Sequence, residues 1–200
     1  ATAGRPPPRS PAGTGAATGV AGTPGWVHSV SLTFGLCITA LAYTIGSKSG
    51  GQINGAVTIG CVAAGLCEPA QAAANIAAQL LGSGMGSGVL SLIVDKEADL
   101  TGGLGANGVG ALHSPRQALL AEIVMTFVLM YVVLETACNS KNHENSTLAP
   151  VAIGFAVYLG HVVLIPIDGC SINPTRSFGP AVVASVRDNK DAPSRWNDWW

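Results

Sequence analysis

Ser49-Gly50-Gly51-Gln52-Ile53-Asn54-Gly55-Ala56-Val57-Thr58 and Gly169-Cys170-Ser171-Ile172-Asn173-Pro174-Thr175-Arg176-Ser177-Phe178-Gly179-Pro180 carry one pattern twice, and that pattern decides the fold. From Gly50 and from Gly169, each stretch passes through Ile-Asn and then runs apolar for only about ten residues, half of what a helix needs to cross a hydrocarbon core. Asn is a preferred helix N-cap and Pro is favoured at the first helical position, so Asn173-Pro174 marks a helix start on physical grounds alone. Short helices of this kind suit re-entrant half-spans, which membranes tolerate only where they are buried in protein or line a wet cavity.

Working outward, four longer apolar segments run roughly over 26–46, 70–94, 118–138 and 148–167. Lipid offers no partner to backbone N–H and C=O groups, so these segments should be helices. Three of them separate the repeated motifs, an odd number of crossings that makes the second copy enter from the opposite face, as in inverted-repeat membrane proteins. Two half-helix N-termini, each worth about half a positive charge, would then aim at one point in the membrane and repel cations. The NH2 groups of Asn54 and Asn173 would be donors to a passing oxygen, an arrangement suited to a neutral solute in single file.

Composition agrees. Charged residues are 10% of the chain, against roughly 25% in soluble domains, and glycines number 26. A formal charge of -1 gives no basic surface for nucleic acid. Cys37, Cys61, Cys67, Cys138 and Cys170 form no CxxC pair and read as small hydrophobes rather than zinc ligands or a disulfide framework. Gly82, Gly84, Gly86 and Gly88 in the second long segment are expected to form a packing surface for a neighbouring helix. The opening stretch, 1–25, is Pro/Gly/Ala-rich and is expected to be a disordered tail.

The two motifs resemble the paired Asn-Pro-Ala boxes of the aquaporin (major intrinsic protein) family. The similarity extends through Val30-Ser31-Leu32-Thr33-Phe34-Gly35-Leu36 and Ala149-Pro150-Val151-Ala152-Ile153-Gly154. It implies an all-α membrane protein, an aquaporin-like right-handed helical bundle with two inverted re-entrant half-helices (about 50–66 and 169–185) in a channel domain over 26–200. It implies further a selectivity filter of Phe34, His161, Cys170 and Arg176, central motifs Asn54-Gly55-Ala56 and Asn173-Pro174-Thr175, and Glu122 as support for a re-entrant loop. On the residues themselves, Arg176 supplies a fixed charge and donors, His161 narrows the ring with a polar contact, and Phe34 gives an apolar wall. Cys170, if it faces the lumen, is a thiol that a mercurial would find.

The function so implied is passive passage of water with exclusion of ions and protons, by a multi-pass protein of the plasma membrane or an internal membrane. The lipid bilayer and further copies in a homotetramer are the implied partners, with no nucleic acid, cofactor or metal. An enzyme, with Glu122 as base and Cys170 as nucleophile, fails for want of an orienting third group. Three departures from the family stand out. Four spans are present where the family has six, so the first and sixth are expected to be missing or incomplete; the first box reads Asn-Gly-Ala; the second reads Asn-Pro-Thr. They leave two alternatives: a truncated, non-conducting subunit, or a channel for another small neutral solute such as hydrogen peroxide, ammonia, urea or glycerol.

Overall fold

A computed structural model describes residues 24–99, 101 and 103–187. The tail expected over 1–25, save Pro24 and Gly25, and the final Trp-rich segment at 196–200 lie outside the described residues. Regular structure among the described residues is helical throughout: α1 (Trp26–Ser49), α2 (Gly55–Ala63), α3 (Pro69–Ile93), α4 (Pro115–Val133), α5 (Ala149–Asp168) and α6 (Pro174–Arg187). A π-helical turn, Leu134–Cys138, extends α4, and a 3-10 segment, Ser140–Leu148, leads into α5.

Local chemistry sets these boundaries. Ser114 and Gln117 form a capping box at the start of α4, and Pro69 and Pro115 sit in the first turns of α3 and α4 where a missing N–H costs nothing. Gly50 and Gly169 close α1 and α5 with φ of 77° and 88°, conformations that a residue with a Cβ resists. The orphan carbonyls at the end of α5 accept from the loop ahead of α4: Gly110 N–H donates to Ile167 at 2.7 Å and Gly108 N–H to Asp168 at 3.0 Å.

Four helical stretches, Trp26–Ser49, Pro69–Ile93, Pro115–Cys138 and Ser146–Asp168, are long and apolar enough to cross a membrane. Large apolar side chains point outward from them, among them Leu81, Met85 and Leu92 on α3 and Leu120, Ile123 and Phe127 on α4. A surface of that kind is at home against lipid, and the chain is an integral, multi-pass membrane protein.

Small residues let the helices meet. Where α1 crosses α5, a Cβ on Gly35 would come 2.6 Å from the carbonyl oxygen of Gly154, and one on Gly154 would run into Thr39. Close backbone approach is how helices gain packing energy where lipid is as apolar as they are. Gly154→Ala should therefore destabilise the fold by about 1–3 kcal/mol, as overpacking does, and detergent melting would register the loss. The glycines expected to pack behave otherwise: a Cβ on Gly82, Gly84, Gly86 or Gly88 meets nothing within 4 Å. The reason lies in which face of α3 is used. Ser83 packs against Gly179 of α6 and takes its N–H at 3.0 Å, while Gly82 and Gly86 border a cavity.

Candidate functional site

The two short helices, α2 and α6, begin at the same place. Asn54 caps α2, its Oδ1 accepting from Ala56 N–H at 2.8 Å and Val57 N–H at 3.3 Å. Asn173 caps α6, its Oδ1 accepting from Arg176 N–H at 3.2 Å, and Pro174 opens the helix. Each carboxamide also reaches across: Asn54 Nδ2 donates to Ile172 carbonyl at 2.8 Å, and Asn173 Nδ2 to Ile53 carbonyl at 2.9 Å. Ile53 and Ile172 take φ of 35° and 44°, a left-handed conformation that β-branched residues resist. Such strain costs on the order of 1–3 kcal/mol per residue and persists only when the surroundings hold it. Here the reciprocal carboxamide bonds do the holding, so the two N-termini and both Asn side chains form one interlocked junction.

Beside that junction, α1, α5 and α6 bring Phe34, His161 and Arg176 together. The rings of Phe34 and His161 stack with centroids 4.1 Å apart, and the Arg176 guanidinium carbon lies 5.3 Å from the Phe34 centroid. His161 is 2% exposed, and its Nδ1 is 2.8 Å from the Val157 carbonyl, which fixes that nitrogen as the donor and leaves Nε2 as an acceptor in the neutral ring. Nε2 and the Arg176 Nε are buried without a partner among the described residues. Cys170 is fully buried at φ 60°, packed with the core cluster that holds Leu164 and Ile165, within electrostatic range of Arg176.

The loop ahead of α4 holds the guanidinium, a role the sequence did not disclose. Arg176 Nη1 donates to Gly105 carbonyl at 3.1 Å and to Asn107 Oδ1 at 2.8 Å, and Asn107 Oδ1 also accepts from the Ser177 hydroxyl at 2.6 Å. From the far side, Glu122 on α4 takes two consecutive N–H groups of the segment before Asn173: Ser171 on Oε1 and Ile172 on Oε2, both at 2.6 Å. A second set of residues emerges along α3. Gln79 Nε2 donates to Thr58 Oγ1 at 3.0 Å, Thr58 donates to Gln52 Oε1 at 2.8 Å, and Asn75 Nδ2 reaches the same Gln52 oxygen at 3.1 Å. The spacing of four through Gln71, Asn75, Gln79, Ser83, Ser87 and Ser91, a polar stripe on an apolar helix, is the signal by which it could have been found.

Asp99 anchors the loop that carries Gly105 and Asn107. Its carboxylate accepts from Thr101 N–H at 3.1 Å and Leu104 N–H at 2.8 Å and pairs with Arg187 at the end of α6. Burial raises this carboxyl, but the Thr101 hydroxyl, the Leu104 N–H and the Arg187 guanidinium together outweigh burial and hold it below its ordinary value. A depressed folded value means stability that is complete above the unfolded value and lost as pH falls through the folded one. The clasp should thus be unchanged from neutral pH to about pH 4, near the ordinary Asp value, and weaken only below it. Amide exchange at Leu104 and Gly105 checks this; Asp99→Asn should give fast exchange at every pH.

Residues 12–200 match the family model described as Major intrinsic protein. The chain belongs to that family. Similar curated major intrinsic proteins include "Probable aquaporin PIP2-6" of Oryza sativa subsp. japonica, 39% identical over 174 residues, 86% of this chain and 59% of that protein. "Aquaporin PIP1-1" of Arabidopsis thaliana is 40% identical over 177 residues, 87% of this chain and 59% of that one. "Aquaporin-4" of Homo sapiens is 38% identical over 160 residues, 80% and 49% of the two chains. The chain thus spans about half to six-tenths of the length of these relatives. Among solved structures, the aquaglyceroporin from Plasmodium falciparum superposes with a TM-score of 0.78 at 18% identity, covering 93% of this chain and 80% of that one. At that identity the likeness is one of fold.

Proposed function

We propose that this major intrinsic protein chain forms the pore of a passive water channel that excludes ions and protons, with the channel domain over residues 26–200. One observation carries the reading: the stack of Phe34 and His161 with Arg176 beside it, in which an acceptor (His161 Nε2) and a donor (Arg176 Nε) are left buried and unpartnered among the described residues. A small solute that both donates and accepts satisfies both, and water does so in the least volume. The guanidinium and the two half-helix N-termini at Asn54 and Asn173 place positive potential along the path, which opposes cations. Phe34, His161 and Arg176, with Cys170 behind them, are the proposed filter. The Asn54-Gly55-Ala56 and Asn173-Pro174-Thr175 junction is the proposed centre, and Glu122 the support of the loop between.

A homotetramer in the plasma membrane is the assembly that the family suggests, and the broad apolar outer faces of α3 and α4 suit either lipid or a further copy. Passage of another small neutral solute is the second reading, favoured by the hydroxyl of Thr175 and the backbone N–H of Gly55, polar groups added to the junction and bonded to each other at 3.1 Å. Stopped-flow light scattering on proteoliposomes holding the chain tests both. Shrinkage in an osmotic gradient well above that of empty liposomes, with glycerol entry at background, supports the water channel. Shrinkage equal to that of empty liposomes would sink it, and glycerol entry matching water would favour the second reading.

A further inference from the structure

The two departures in the Asn boxes touch each other. Gly55, where the family's box has Pro, keeps a backbone N–H, and that N–H donates to Thr175 Oγ1 at 3.1 Å, with Asn173 Oδ1 at 3.4 Å as a longer second acceptor. Thr175 stands in the other box where the family has Ala. Its hydroxyl lies 2.7 Å from Asn173 Oδ1 and 3.0 Å from Gln79 Oε1, so its single hydrogen has two acceptors in reach while its lone pair serves Gly55. Its methyl occupies the space beside the Gly55 Cα: a Cβ placed there would sit 2.9 Å from Thr175 Cγ2 and 3.3 Å from the Pro174 ring. Both residues are buried, so leaving either polar group unpaired carries a cost.

Each departure is unfavourable without the other. A proline at 55 would deprive the Thr175 oxygen of its donor and drive a ring into the Thr175 methyl. An alanine at 175 would leave the Gly55 N–H with only the longer contact to Asn173 and free the Asn173 carboxamide from a hydroxyl partner. We propose that Gly55 and Thr175 are one matched unit, with Thr175 the positioning residue that holds the Asn173 carboxamide in register with Asn54. The geometry of this pairing is independent of what passes the pore; its consequence for permeation rests on the channel reading above.

A double-mutant cycle in the same chain tests it, with Gly55→Pro, Thr175→Ala and both together, plus Thr175→Ser and Thr175→Val. Melting in detergent and, in proteoliposomes, the ratio of water to glycerol permeability are the readouts. Each single change in the cycle should lower the melting temperature by about 2–4 °C and reduce the permeability ratio severalfold, whereas the double variant should return close to the parent in both. Thr175→Ser, which keeps the hydroxyl, should resemble the parent, and Thr175→Val, which keeps the shape, should resemble Thr175→Ala. If Gly55→Pro alone does not fold, recovery of a folded double variant counts as the rescue. Additive losses in the double variant, or a Thr175→Val protein equal to the parent, overturn the proposal. Should the parent conduct nothing, the channel reading falls while the melting cycle still decides the pairing.

Discussion

Glu122→Ala should cost about 4 kcal/mol, because it strands two buried backbone N–H groups at roughly 1–3 kcal/mol each. The segment before α6 makes this cost unavoidable. Four successive N–H groups there are satisfied by side-chain oxygens: Cys170 by Asp168 Oδ1 at 3.0 Å, Ser171 and Ile172 by the two oxygens of Glu122, and Asn173 by Ser171 Oγ at 3.2 Å. No regular ladder supplies them, since Cys170 and Ile172 sit at positive φ where helix hydrogen bonding is not available. With Glu122 gone, Ile172 loses the bond that holds its left-handed conformation on the N–H side, while its carbonyl is the acceptor for Asn54. The damage should therefore pass to the other box. Glu122→Gln should fall between, because one carboxamide oxygen can accept where two carboxylate oxygens did. Melting in detergent reads the order parent, Gln, Ala; equal stability of the parent and Glu122→Ala would mean that the segment finds other partners.

How far these features could be read from the sequence depends on whether their cause is local. The spans follow from composition and length, and the half-helix starts from Asn capping and Pro174, all of which act within a few residues. The meeting of Phe34, His161 and Arg176 was legible only through the resemblance to the aquaporin family, which set their positions relative to the two boxes; the repeat alone pointed no further than Asn54 and Asn173. The grip of Gly105 and Asn107 on Arg176 had no such marker, because it depends on how an irregular loop folds back over the end of α5. The pairing of Gly55 with Thr175 was hidden for a different reason. Each residue stood out only as a separate departure in its own box, and only their contact reveals that the N–H exposed by one is taken by the other. Gly82, Gly84, Gly86 and Gly88 misled because small residues report permission for close approach, and within this chain it is the neighbouring Ser83 that meets α6.

Arg176→Val should open the proposed filter, raising glycerol permeability by about tenfold, equivalent to roughly 1.4 kcal/mol of barrier, while water passage is retained. The argument rests on what the guanidinium does where it stands. It lies over the Phe34 ring at 5.3 Å, and its Nη1 is tied to Gly105 and Asn107, so it cannot swing aside without giving up two hydrogen bonds. Valine removes both bulk and charge, so cation leak should rise with glycerol entry. Asn107→Ala separates the two contributions. It leaves the charge in place but releases one of its holders, and so should raise glycerol entry less than Arg176→Val and leave cation exclusion near that of the parent. A filter set by the backbone walls alone would show neither change, and an Arg176→Val protein as closed to glycerol as the parent would remove Arg176 from the proposed filter.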